Sequence, residues 1–171
     1  MSLSNDLLAQ ARTLAVNEPR RPKQASLRRA VSAAYYAIFH LLVEDAARQL
    51  ATANPAGLRE KIRRAFAHTE MKKVCRDFAR TKNHAPPDNL RTLLSPRLSP
   101  ELVSVAGAFV DLQEARHRAD YDLSADLTRA EALSHVRKAE AALSAWRTQR
   151  ETSDAKVFLT ALLLNDRWHK A

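Results

Sequence analysis

The sequence predicts an all-α fold: an antiparallel bundle of four to five main helices followed by a C-terminal helix. Three observations predict it. Glycine is nearly absent, with Gly57 and Gly107 the only two in 171 residues, while Ala, Leu, Arg and Glu abound. Apolar residues recur at i, i+3, i+4 and i+7 along most of the chain. No alternating apolar run bounded by turn residues reads as a strand. A chain of this length is expected to form one domain over 1–171, with its bundle core at about 5–150.

The first helix is expected from about Asn5 to Val16, capped by Ser4 or Asn5, with Leu7, Leu8, Ala11, Leu14 and Ala15 as its apolar stripe. Pro19 and Pro22, with Arg20 and Arg21 between them, break the chain. The second helix is expected from Lys23 or Gln24 to Thr52, stopped by Asn54-Pro55-Ala56-Gly57. A third begins near Leu58. Its apolar phase shifts between Ile62 and Phe66 on one side and Met71, Val74 and Phe78 on the other, which predicts a break near His68 with Thr69 as a new cap. Lys82 to Pro100, with four prolines, is a loop long enough to be mobile or functional. The fourth helix opens after Ser99-Pro100 and runs to about Arg118. The turn Tyr121-Asp122-Leu123-Ser124 leads to a fifth, from about Leu127 to Arg150, where Thr128 and Glu131 form a capping box. A strongly apolar last helix spans about 155–165 and is expected to dock on its own bundle rather than on a partner.

The net charge of +9 favours a polyanionic partner, although an Arg-rich composition accounts for it equally well. The single Cys75 excludes an internal disulfide. The longest apolar run, Val157 to Leu164, is too short to span a bilayer, so no membrane association is expected. With no signal-peptide pattern in the first ten residues, the expectation is a reducing, cytoplasmic location. No Cys or His cluster has metal-site spacing, and no phosphate-binding glycine loop or hydrolase elbow is present, so neither metal nor cofactor is expected.

Two segments carry the chemistry. In the second helix, Leu27, Val31, Ala34, Ile38 and Leu41 project together, while Arg29, Ser32, Tyr36 and His40 project on another side. Arg, Tyr and His hydrogen-bond, stack and pair with phosphate, so this side reads as a polar seam rather than a plain solvated face. In the fourth helix, the apolar stripe Leu102, Val105, Ala106, Phe109 and Leu112 continues into Gln113, Arg116 and Asp120. Arg116 and Asp120, spaced i, i+4, are expected to pair as a structural bridge or as part of a site. A basic row of Lys61, Arg64, His68, Lys72 and Arg76 reads as a solvated face split by the expected break.

Ser32-Ala33-Ala34-Tyr35-Tyr36-Ala37-Ile38-Phe39-His40 resembles the S-x-A-Y-Y-A-x-F-H signature of the HEPN superfamily. Arg116-His117-Arg118-Ala119-Asp120-Tyr121-Asp122 resembles the R-x-x-A-D-Y segment of one HEPN branch, and the two lie in the expected order. The resemblance covers roughly Asn5 to Trp146. It implies a helical bundle that forms a homodimer. Many members are metal-independent ribonucleases whose R-x4-6-H motif is duplicated across the dimer, with His as acid/base and Arg on the phosphorane. Others are toxins neutralised by a nucleotidyltransferase partner, or non-catalytic RNA- or nucleotide-binding modules.

This chain departs from the nuclease pattern. Asp120-Tyr121 stands where the motif His should be, and His117 is too close to Arg116. Arg63…His68 and Arg129…His135 fit the spacing, but chance supplies as many matches in so basic a chain. The resemblance makes Tyr121 a possible counterpart of the tyrosine that paired nucleotidyltransferases modify; the plainer expectation is that it packs against the bundle. The leading expectation is therefore an RNA- or nucleotide-binding module of a toxin–antitoxin, stress or defence system. Arg29, Tyr36, His40, Arg116, Arg118 and Tyr121 would bind, with His40, Arg116, His117 and Asp120 as catalytic candidates. The alternatives are a metal-independent ribonuclease with a rearranged acid/base pair and a non-catalytic helical partner protein.

Overall fold

The computed structural model describes residues 2–18, 20–51 and 56–168. The expected break at Pro19, the end of the second helix at Thr52 and the stop at Asn54-Pro55 lie outside them. The fold is all-α. Among the described residues the helices are α1 (Leu3–Val16), α2 (Gln24–Leu50), α3 (Ala56–Arg64), α4 (His68–Arg80), α5 (Pro100–Tyr121), α6 (Arg129–Gln149) and α7 (Ser153–Trp168), and no residue is in a strand. None of these helices is long and apolar enough to cross a membrane.

Local chemistry sets most boundaries. Thr128 and Glu131 form the capping box before α6: Glu131 N donates to Thr128 Oγ1 at 3.2 Å, and Thr128 N donates to Glu131 Oε2 at 2.7 Å. Ser99 caps α5 by accepting from Leu102 N at 3.2 Å. Thr152 caps α7 by accepting from Ala155 N at 3.2 Å. Three expectations need correction. α1 starts at Leu3 with Ser2 as its N-cap and no side-chain cap bond, so neither Ser4 nor Asn5 caps it, and Ser4 is buried within the helix. The break between α3 and α4 is present, but Thr69 does not cap it; α4 starts at His68, after an extended Ala67 that makes no side-chain cap. The fourth helix of the sequence reading, α5, runs past Arg118 to Tyr121, so Tyr121 is helical rather than part of the turn. The long loop after α4 contains a short 3-10 helix, Asp88–Leu90.

The chain divides into two compact units. The first comprises residues 1–41 and 108–144, and the second 42–107 and 145–171, so α2, α5 and α6 each contribute to both. In the first unit Ala15, Leu27, Ala30, Val31, Ala119, Leu127 and Ala132 form one apolar cluster, closed by Leu14, Ala115 and Leu133. Tyr35 is fully buried and meets Phe109 edge-on at 5.5 Å. These contacts set the end of α5 against the first half of α2.

In the second unit α4 packs along α7. Phe78 meets Phe158 at 4.8 Å, and Trp146 meets Phe158 at 6.1 Å. Trp146 Nε1 donates to the buried Asp45 Oδ2 at 2.7 Å. Ala155, Phe158, Leu159, Ala161 and Leu162 are buried, so α7 docks on its own unit, as its apolar sequence predicts. Cys75 is fully buried, and burial pushes its thiol well above the usual range.

Candidate functional site

The two motif segments meet inside the first unit, with Arg116 at the centre. Its Nε lies 2.8 Å from Asp120 Oδ2, one turn along α5, as the i, i+4 spacing predicts. Its Nη2 donates to the Tyr36 hydroxyl at 3.2 Å. The guanidinium carbon stands 6.0, 5.7 and 5.4 Å from the ring centres of Tyr35, Tyr36 and Tyr121. The Arg116 side chain is only 18% exposed. Burial works to lower its pKa, but Tyr36, Asp120 and Tyr121 together outweigh burial and raise it. Arg116 is therefore a fixed positive charge in a partly aromatic setting.

Asp120 is held from its other side as well. Ser32 Oγ donates to Asp120 Oδ1 at 2.5 Å. Ser32 is itself buried, on α2. The four side chains thus make one chain of contacts, Ser32 to Asp120 to Arg116 to Tyr36, that ties α2 to the last turns of α5.

Arg28 fixes the end of α5. It donates to three carbonyl oxygens: Ala119 at 2.8 Å, Asp122 at 2.8 Å and Ala125 at 2.5 Å. These acceptors belong to the end of the helix and the turn that follows, where backbone carbonyls have no helical partner. Gln24 grips the same turn twice, donating to Leu127 O at 2.8 Å and accepting from Leu127 N at 3.0 Å. Within the turn, Asp122 accepts from Ser124 N at 3.0 Å and Ser124 Oγ at 2.6 Å, which holds its carboxyl below the usual range. This bracing leaves Tyr121 62% exposed and Leu123 93% exposed.

The structure sorts the sequence-predicted residues. Tyr36, Arg116, Asp120 and Tyr121 come together, with His117 beside the Tyr121 ring at 5.0 Å. Tyr121 is largely exposed, so the expectation that it packs into the bundle is corrected; the end of α5 carries its ring outward, over Arg116. Arg29 is exposed and lines a hollow of about 550 Å3 with Ala25, Arg28, Ala119, Asp120 and Leu123. Arg118 turns instead to Glu131, at 3.7 Å. His40 is half-buried and stacks on Tyr36 with ring centres 6.1 Å apart; burial lowers its pKa. The polar seam of α2 is largely interior, because Ser32 is buried and Tyr36 and His40 are half-buried.

The chance motif pairs lie elsewhere. Arg63 bonds Glu44, at 2.7 Å, in the second unit. Arg129 donates to Glu18 O. The basic row is interrupted between α3 and α4, and its Arg64 pairs with Glu60 at 2.5 Å. A larger hollow, of about 650 Å3, lies in the second unit among Asp77, Arg80, His84 and Asp88, and contains none of the motif residues.

Sequence reasoning missed Arg28. Its signal was present: Arg28, Ser32 and Tyr36 are spaced i, i+4, i+8, the row that faces the end of α5. Among the described residues no group of three acidic, His or Cys side chains is placed to hold a metal ion. The arrangement offers chemistry of two kinds: a fixed cation with a carboxylate against it, and an exposed aromatic pair flanked by arginines. Comparison of the chain with known protein families, curated proteins and solved structures returned no match.

Proposed function

We propose that this chain is an HEPN-like module that binds RNA or a nucleotide, without the usual nuclease motif. One observation carries the reading. Tyr121 presents an open ring at the end of α5, with His117 against it and the Arg116 guanidinium 5.4 Å from its centre. An exposed aromatic backed by a guanidinium suits an unstacked base, and stacking on such a platform is worth about 1–3 kcal/mol per base. Arg29 and Arg118 are exposed and offer guanidinium groups for phosphate. The net charge of +9 supports a polyanionic ligand. Asp120, standing where a catalytic His would be, pairs with Arg116 and acts as a bridge. Homodimerisation, a role in a toxin–antitoxin, stress or defence system, and pairing with a nucleotidyltransferase follow from the family resemblance and belong to the same proposal.

The test is incubation with labelled single-stranded RNA in EDTA at low and moderate salt, read for both retardation and cleavage. The expected result is salt-sensitive retardation without cleavage, weakened in Tyr121→Ala and in Arg29→Ala. RNA affinity unchanged in both variants overturns the reading. Cleavage in EDTA that is lost in His117→Ala identifies a metal-independent ribonuclease instead, for which the exposure of His117 beside Tyr121 is the favouring observation.

A further inference from the structure

We propose that Asp120 is a built-in competitor for the anion site of Arg116, so that the resting face is partly self-occupied and its affinity for phosphate is held down. The inference rests on the RNA- or nucleotide-binding reading and deepens it.

A negative charge already stands against the guanidinium. An Asp120 carboxylate oxygen lies 2.8 Å from Arg116 Nε as an ion pair, out of line with the Nε–H, which has no hydrogen-bond partner among the described residues. Tyr36 accepts from Nη2 at 3.2 Å, so a second part of the guanidinium fork is also engaged. Asp120 is not free to swing aside, because Ser32 holds its other oxygen at 2.5 Å from buried ground on α2. The hollow beside Arg29 is lined by Asp120 and not by Arg116. Asp120 lines the same hollow as Arg28 and Arg29, and its side chain is about a quarter exposed. A phosphate drawn in by Arg29 therefore meets a negative charge, and it gains Arg116 only by displacing that charge.

The consequence is a binding face in which an acidic residue sets affinity. Asp120→Asn removes the repulsion, keeps the side-chain shape and leaves Arg116 free to take phosphate. A short labelled oligouridylate should bind this variant about tenfold more tightly than the unaltered protein, the equivalent of one charge-assisted hydrogen bond gained. The slope of log affinity against log salt should steepen by about one phosphate contact. The gain should vanish in Arg116→Ala/Asp120→Asn, because it acts through Arg116. Asp126→Asn, which removes an exposed charge elsewhere, should give no such gain. Ser32→Ala, which releases one tether of Asp120, should give a smaller gain; it provides a second reading of the same idea if Asp120→Asn does not fold.

Unchanged or weaker affinity in Asp120→Asn and Ser32→Ala overturns the competitor role, as does a gain that persists without Arg116. The two ideas fail separately. Oligouridylate binding that depends on Tyr121 and Arg29 but ignores Asp120 sinks only this inference. Absence of binding in the unaltered protein and in Asp120→Asn alike sinks both.

Discussion

Ser32 and Asp120 are 88 positions apart in sequence and joined by a 2.5 Å hydrogen bond. The bond matters because its donor is buried and its acceptor is charged. A buried hydroxyl without an acceptor is costly, and a bond to a charged group contributes more than a neutral one. Ser32→Ala removes the donor and leaves Asp120 with Arg116 alone. Because the Asp120 side chain is about a quarter exposed, water replaces part of the lost bond. The expected loss of stability is about 1–2 kcal/mol, read from urea unfolding followed by circular dichroism.

Arg28 does for the end of α5 what a glycine cap does for many helices: it satisfies the Ala119 carbonyl of the last turn and grips two carbonyls of the turn beyond. It does so from another helix and reaches three carbonyl oxygens. A planar guanidinium serves several acceptors at once, whereas an ammonium is a point donor. Arg28→Lys should therefore recover little. Both Arg28→Lys and Arg28→Ala are expected to lose about 2–3 kcal/mol of stability. In hydrogen exchange, amides of the turn from Asp122 to Leu127 should lose protection before those of the α5 interior. Full stability in Arg28→Lys would show that the fork is not what holds the turn.

These two residues mark where the sequence is legible and where it is not. Helix starts with a reciprocal side-chain cap are written locally, in side chains that bond backbone one turn away, so the Thr128–Glu131 box could be read directly. The Arg116–Asp120 pair was legible for the same reason, since helical geometry alone sets an i, i+4 contact. Thr69 shows that a residue competent to cap need not stand at the boundary: the N-cap of α4 is Ala67, two residues earlier. The partners of Arg28 and Ser32 lie 88 to 97 positions away and depend on how α5 returns to α2. No local period encodes that return. The α2 seam reads as polar, but the burial of part of it follows from the same return, which puts Asp120 against Ser32 and Arg116 against Tyr36.

In the second unit, Asp45 is 6% exposed and accepts from Trp146 Nε1 at 2.7 Å, with Arg48 Nη1 3.5 Å from its other oxygen. Trp146→Phe keeps much of the apolar volume and removes the donor. It leaves a buried carboxylate with one longer contact, and breaking one partner of a buried charged pair is more costly than replacing both. The expected loss is about 2–4 kcal/mol. Trp146→Phe/Asp45→Asn should recover part of it, because a neutral amide is less costly to bury. A double variant less stable than Trp146→Phe would refute that account.

Two histidines predict how stability varies with pH. His40 is half-buried against Tyr36 and Phe39, and burial lowers its pKa below the ordinary 6.5. His135, on α6, is lowered by burial and then by Lys138, against weaker opposition from Glu131 and Asp111; its buried Nδ1 has no hydrogen-bond partner among the described residues. Below about pH 6.5 the unfolded chain takes up protons at both positions while the folded chain does not. The stabilisation is therefore complete above that pH and is lost as pH falls from about 6.5 through the depressed folded values. Each histidine contributes at most about 1.4 kcal/mol per pH unit, and partial exposure keeps the measured slope below that. Glu44, whose carboxyl Arg63 holds below its ordinary 4.5, adds its own loss only at lower pH. Urea midpoints between about pH 7 and about pH 5.5 should fall in the unaltered protein. They should fall less in His40→Gln and in His135→Gln, and the decline should remain in Glu44→Gln. A decline of equal size in both histidine variants would assign it to other groups.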